Sequence, residues 1–331
     1  MPMSYKTQVK PGSLLFAPME GITDGPYRKV IKRLFPEWSR HCCDFLRCPT
    51  EGTYNEKKII EHFGMEEFEN EETRQNTTYQ ILTSPRANTE DTVKKIAKLG
   101  FKHLDLNLGC PSKKVNSHQG GAYLLSDLQK LREVLYRIRE SFPYMFTVKI
   151  RIGYRNTDLF EESLKTIEEC GAEAITIHGR TRDQLYKGQA NWDYIAKAVE
   201  ICKVPVIGNG DIWTCEDIDE IQKVTNCHAV MVARGALKTP WLAKLYKLKQ
   251  ENHTLDADQT LRFRKGFIKS YYRLLEEEYS QLNWKTENLH KRFKGLTRYL
   301  FDDLENGDQI RSMLLRSKTL PEFKHILSQN I

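Results

Sequence analysis

Eight short apolar, β-rich runs recur through the first 235 residues of the chain, and stretches of helical period lie between most of them. The runs are Leu14–Pro18, Arg40–Leu46, Thr78–Leu82, His103–Leu108, Phe146–Ile152, Ala174–His178, Val204–Gly208 and His228–Ala233. The helical stretches include Thr89–Leu99, Asp127–Phe142, Asp158–Cys170, Trp192–Cys202 and Glu216–Val224. Strand and helix alternating at roughly 25 to 40 residues per unit predict a parallel (β/α)8 TIM barrel, an α/β fold. A doubly wound open sheet would carry a GxGxxG turn after its first strand, and none is present. With 331 residues and 40% hydrophobic content, the chain can bury a barrel core and a smaller second domain.

After Trp241 the pattern changes to helices only, expected over Asp258–Glu278, Glu287–Leu304 and Pro321–Gln329. A polar linker, Gln250–Asp258, separates them from the barrel, so the expected division is a barrel over 1–245 and an all-helical C-terminal domain over 246–331. Glu51–Glu72 is acidic, with little apolar period beyond Ile59, Ile60 and Phe63, and is expected to be an excursion after the second strand. From Lys238 onward 18 Lys and Arg stand against 12 Asp and Glu, placing +6 of the net +7 charge in the last 94 residues. A basic, aromatic tail such as Lys291–Tyr299 has the composition of a surface that tracks phosphates, or of an ordinary solvated helix face.

No run of about 18 apolar residues predicts a membrane span. The start, MPMSYKTQVK, has no apolar signal segment, so the cytoplasm is the expected compartment. The eight cysteines show neither the CxxC pairs of a zinc site nor the density of a disulfide scaffold, so no metal is expected and most are read as reduced, buried and small.

In a parallel barrel all strand carboxyl ends open at one mouth, where chemistry is done. Cys110 follows the alternating strand His103–Leu108, with Asn107 before it and Lys113 and Lys114 after it. Lys149, Arg151, His178 and Arg180 occupy the ends of the fifth and sixth strands. The turns Gly208–Asp211 and Ala233–Ala236 follow the seventh and eighth, where these barrels bind phosphate on backbone N–H groups. A thiol, a lysine and two phosphate turns at one mouth point to an enzyme with a phosphorylated cofactor or substrate.

The strings FAPMEGITDGPYR, LNLGCPSKKVNSHQGGAYLL, VKIRIGY, ITIHGRTRDQLYKGQANWD, VPVIGNGDIW and AVMVARGAL resemble, in order and at compatible spacings, the signature blocks of the tRNA-dihydrouridine synthases. The Glu of PMEG, the GCPSK string and HKRFKGLTRYL in the tail are most similar to the bacterial C-type branch. The resemblance implies an FMN enzyme using NADPH, or NADH, to reduce the 5,6-double bond of a uridine in tRNA, with a D-loop position as the analogy. No membrane or obligate protein partner is implied.

It also implies roles. Cys110 would be the general acid that protonates uracil C5. Pro18, Met19 and Glu20 would lie under the flavin, Gln80 and Lys149 at its ring, His178 beside it, and Asn209, Gly210, Asp211, Ala233 and Arg234 at its phosphate. Asn107 would read the uracil edge of a flipped base and Tyr186 would stack on it or its neighbour. Arg47, Arg292, Lys294 and Arg316 would contact the tRNA backbone. Thr83 and Ala233 stand where the family has glycine, each adding a Cβ beside the cofactor.

Two other readings use the same residues. One is a flavin oxidoreductase of a free pyrimidine, like the dihydroorotate and dihydropyrimidine dehydrogenases; the basic tail speaks against it. The other is a catalytically inactive tRNA-binding chaperone, against which stand Cys110, Lys149 and His178.

Overall fold

The computed structural model describes residues 4–253, 255–302 and 304–331. Met1–Met3, Thr254 of the expected linker and Asp303 of the second expected tail helix lie outside the described residues. The strands are β1 (Ser13–Phe16), β2 (Arg40–Cys42), β3 (Leu46–Arg47), β4 (Thr77–Leu82), β5 (His103–Leu108), β6 (Met145–Arg151), β7 (Ala174–His178), β8 (Val206–Asn209) and β9 (Ala229–Val232). Every pairing is parallel, in the order β2-β1-β9-β8-β7-β6-β5-β4-β3, and β2 also pairs with β4. The sheet therefore closes on itself as an eight-stranded TIM barrel, with β2 and β3 as two pieces of its second strand.

Helices cover the outside of the barrel, so its strands bury both faces; β4 is buried at all six positions. On β5 the alternation serves two buried surfaces. Leu104, Leu106 and Leu108 are fully buried, whereas His103, Asp105 and Asn107 hydrogen-bond to side chains of the neighbouring strands. The lumen is thus divided. Leu15, Ala174, Ile207, Ala229 and Met231 form its apolar part, closed by Tyr5 and Val9. Thr78, Gln80, His103, Asp105 and Thr147 form the polar part, around a cavity of about 20 Å³, room for one water.

Local rules explain the helices. Asp127 caps Leu128–Ser141 through the Lys130 N–H at 3.1 Å, and Asp256 with Gln259 makes a reciprocal capping box at the start of Ala257–Gln281. Two sequence expectations need correction, and a third gains detail. The run Arg40–Leu46 is interrupted at Cys43–Phe45, where the Cys43 N–H continues to Thr78 O before the chain turns. The acidic segment 51–72 does lie outside the barrel strands after the second one, where it folds into the helices Glu56–Phe63 and Met65–Glu69 and the start of Glu71–Asn76. Only Ile59 and Phe63, one turn apart, are buried on the first of these, a stripe too thin to show in the pattern. In the tail the second expected helix ends at Thr297, and a further helix, Gly307–Arg316, precedes Leu320–Asn330.

The chain forms two compact units. One comprises residues 1–25, 38–212 and 216–233; the other comprises 26–37, 213–215 and 234–331. The division at 245/246 thus falls inside a helix, Leu242–Gln250, and the second unit recruits Pro26–Glu37 from the barrel sequence. Its core shows why. Tyr27 meets Tyr271 edge-on at 6.1 Å, Phe35 meets Phe267 at 4.9 Å, and Lys29 pairs with Glu278 at 2.7 Å. Tyr272, Phe293 and Phe323 pack on one another, and the Tyr272 hydroxyl is 2.8 Å from Thr297 Oγ1.

Candidate active site

At the carboxyl end of β6, Lys149 Nζ donates to Asn209 Oδ1 of β8 at 3.1 Å, and Asn209 Nδ2 donates to Met231 O of β9 at 2.7 Å. The next residue, Gly210, has φ +120°, and a Cβ there would lie 2.8 Å from Ala190 Cβ and 2.9 Å from His178 Cδ2. Only glycine fits this close approach, which leaves the backbone of the turn bare. Asp211, itself at φ 53°, accepts from Arg180 Nη2 at 2.5 Å and from the Ala190 N–H at 2.7 Å. Arg180 is 2% exposed and also reaches His178 Nε2, Lys187 O and Gly188 O. It ties the β7 end, its following loop and the β8 turn together.

Burial, reinforced by Arg151 and opposed by Asp105, pulls the Lys149 amine down to about 8 from its usual 10.5. The folded protein thus carries a disfavoured ammonium below pH 8, and this cost fades between pH 8 and 10.5 as the folded-state amine deprotonates first. Lys149→Met should stabilise the unliganded protein by about 3 kcal/mol at neutral pH, a gain that shrinks toward zero above pH 10. Urea unfolding at the two pH values checks this; equal gains at both would contradict it.

The second half of the mouth surrounds Cys110, which is 7% exposed and packs with Leu82, Val115 and Phe45. Asn116 Nδ2 braces its loop by donating to Cys110 O and Ser112 O at 3.0 and 2.7 Å. Burial, with a contribution from Glu20, pushes the thiol pKa up, against the Ser112 N–H, Arg47 and Arg151. The sulfur therefore holds its proton at neutral pH, as a proton donor must. Gly121, at φ +59°, lets the following turn come close, since a Cβ there would sit 2.9 Å from Val115 Cγ1 and 3.3 Å from Cys110 Cβ.

Between the halves, Asn107 Nδ2 donates to Gln80 Oε1 at 2.9 Å, the Gly109 N–H donates to Asn107 Oδ1 at 2.9 Å, and Gln80 Nε2 donates to buried Asp105 at 2.8 Å. Arg151 spans from Gly109 O to Thr181 O and Leu185 O, and its guanidinium lies 5.8 Å from the ring of Tyr186, which is 55% exposed. In the loop after β1, Met19 N–H binds Thr23 Oγ1 at 3.0 Å; Pro18 and Met19 are half-buried and Glu20 is exposed. The Gly21 N–H reaches Asp44 at 3.2 Å, linking that loop to the break in the second strand. Thr83 is buried, with its hydroxyl 2.5 Å from Thr89 Oγ1, and Ala233 is half-buried against the apolar lumen.

Asn107 and Gln80, Lys149 and Asn209, and His178 with Gly210 and, through Arg180, Asp211 are thus brought together at the strand ends, and Glu20 and Arg47 lie near enough to Cys110 to act on its charge. Four of the predicted residues, Arg234, Arg292, Lys294 and Arg316, lie in the second unit. Arg234 begins the helix Arg234–Lys238 and stacks 5.1 Å over Trp213. Arg292 donates to Tyr279 Oη at 2.7 Å, Lys294 donates to Ser317 O at 2.8 Å, and Arg316 is exposed. Sequence reasoning missed Asp105 and gave Arg180 no role. The signal for both was present, as an acid inside a buried run and an arginine directly after His178-Gly179.

The dihydrouridine synthase (Dus) family model matches residues 15–330. The tRNA-dihydrouridine(16) synthase of Cupriavidus necator is 34% identical over 234 residues, covering 70% of this chain and 72% of its own. That of Neisseria meningitidis serogroup B is 27% identical over 321 residues, covering 96% and 94%. Among solved structures, histamine dehydrogenase from Rhizobium sp. 4-9 aligns with a TM-score of 0.52 at 13% identity, over 73% of this chain and 46% of its own. A 2-naphthoyl-CoA reductase aligns with a TM-score of 0.52 at 10% identity, over 76% and 52%, so the chain spans about half of each and shares the barrel with them. With one family model running from the first barrel strand to the last helix, the chain belongs to the dihydrouridine synthase family.

Proposed function

We propose that this protein is an FMN-dependent, NADPH-driven tRNA-dihydrouridine synthase that reduces a D-loop uridine, at position 16 as in the names of its relatives. The observation that carries the reading is the buried, protonated thiol of Cys110 sharing a mouth with Lys149 and the Gly210 turn. The residues present fit a phosphorylated flavin. The Gly210 turn, packed against Ala190 and His178 with no Cβ of its own, would offer bare backbone to a phosphate. Asn209, Asp211, Ala233 and Arg234 would complete the phosphate side, Gln80 and Lys149 would face the ring with His178 beside it, and Pro18–Glu20 would lie beneath it. When bound, the cofactor supplies the hydride for uracil C6.

The chain's own residues do the rest. Cys110 Sγ gives its proton to C5, Asn107 offers an N–H and an oxygen to the uracil edge, and Tyr186 presents an exposed ring to a flipped base. Arg47, Arg292, Lys294 and Arg316 serve the phosphate backbone of tRNA, in keeping with the basic tail. Such an enzyme works in the cytoplasm, and among the described residues no helix is long and apolar enough to cross a membrane.

An absorbance scan tests the cofactor directly. The purified protein should be yellow, and after stripping should regain the flavin spectrum with FMN; a protein that neither carries nor takes up FMN contradicts the proposal.

A further inference from the structure

A chain of hydrogen bonds crosses the polar half of the lumen and ends, from both directions, on Asp105. Groups that can only donate fix its polarity. Arg40 Nη1 lies 3.1 Å from His103 Nδ1, so that nitrogen accepts, and Thr78 Oγ1 shares it at 2.9 Å. The His103 proton then sits on Nε2 and is donated to Thr147 Oγ1 at 2.9 Å, burial and Arg40 keeping the ring neutral. Thr147 in turn donates to Asp105 Oδ1 at 2.7 Å. At the other end the Gly109 N–H must donate, so Asn107 shows it Oδ1. Asn107 Nδ2 then faces Gln80 Oε1, and Gln80 Nε2 faces Asp105 Oδ2.

The Gln80–Asn107 pair has no preference of its own. Turning both amides over together preserves the bond between them, so only the two ends decide: the Gly109 N–H and the Asp105 carboxylate. We propose that Asp105 is a positioning residue for catalysis: as common acceptor of both arms it sets the direction of the Gln80 amide, and through it leaves Asn107 one N–H and one oxygen lone pair for the substrate. This rests on the reading of uracil in tRNA as substrate. A uracil edge alternates donors and acceptors, so an inverted Asn107 would meet it with like against like.

Asparagine at position 105 removes one of the two anchors and leaves only the Gly109 N–H, because its amide can offer either an oxygen or an NH2 to Gln80. The test compares Asp105→Asn, Asn107→Ala and the double variant by single-turnover dihydrouridine formation in full-length tRNA, each as flavin-loaded protein. Each single change should slow the step by about 10- to 100-fold, the range for a misplaced or orphaned hydrogen bond, and the double should be no slower than the worse single within about threefold. tRNA affinity should change by less than about twofold, since backbone contacts dominate it. Losses that multiply, or an Asp105→Asn rate equal to wild type, would overturn the proposal. If Asp105→Asn does not fold, Gln80→Leu breaks the relay at its middle and must show the same non-additivity with Asn107→Ala; multiplying losses there overturn it equally. In the flavin-free protein the side-chain NH2 protons of Gln80 and Asn107 should exchange slowly and lose that protection in Asp105→Asn; protection that survives would contradict the relay. Wild-type protein that forms no dihydrouridine in tRNA would overturn the reading of the substrate itself, a result separate from the comparison of variants.

Discussion

Cys110→Ala should slow dihydrouridine formation by about 10² to 10⁴-fold, the usual contribution of a positioned general acid, while flavin content and tRNA affinity stay at wild-type levels. The side chain is small and 7% exposed, so removing one sulfur from the cluster with Leu82 and Val115 leaves a minor void. What disappears is the proton. Burial and Glu20 hold it on sulfur. Cys110→Ser should be nearly as slow as Cys110→Ala, because a hydroxyl is a far weaker acid than a thiol. Single-turnover assays with equal flavin occupancy measure the effect. Full activity in Cys110→Ala would end the assignment of Cys110 as the acid.

Arg180→Ala should be the most damaging substitution at the mouth for stability. It removes a 2% exposed guanidinium and leaves His178 Nε2, Lys187 O and Gly188 O without a shared donor, and Asp211 with only part of its partners. Breaking a buried ion pair from one side costs about 3–5 kcal/mol; Asp211 keeps 21% exposure, which places the loss near the lower figure. For a chain of this size that corresponds to a fall of roughly 5–10 °C in Tm. Arg180→Lys should not rescue it, since one ammonium cannot reach the partners held by a planar guanidinium. Because the Gly210 turn hangs on the same knot, FMN affinity should fall with stability. A variant with wild-type Tm and wild-type FMN affinity would show that the knot holds nothing that matters.

The barrel was legible because seven of its eight strands are unbroken β-rich runs, buried at nearly every position. The second was misread as one strand because nothing in Cys43-Asp44-Phe45 shows that its backbone leaves the ladder. Asp44 marks the break only in three dimensions, where it binds the Gly21 N–H of another loop. Asp105 was passed over for a different reason. In HLDLNL a polar residue at every second position reads as a solvent face, but a closed barrel has no solvent on its inner side, so these residues must find partners on other strands. The mouth residues stood out at strand ends, whereas the aromatic contacts that draw Pro26–Glu37 into the second unit join positions more than 200 residues apart, beyond the reach of local pattern.

Reduction of a uridine within tRNA can be observed directly. Wild-type protein with FMN and NADPH should be incubated with an unmodified tRNA transcript or with free uridine, and each product mapped by nucleoside mass spectrometry. A two-hydrogen gain confined to a D-loop uridine of the tRNA, with free uridine untouched, is the predicted result. Turnover of free uridine with the tRNA left unchanged would contradict it.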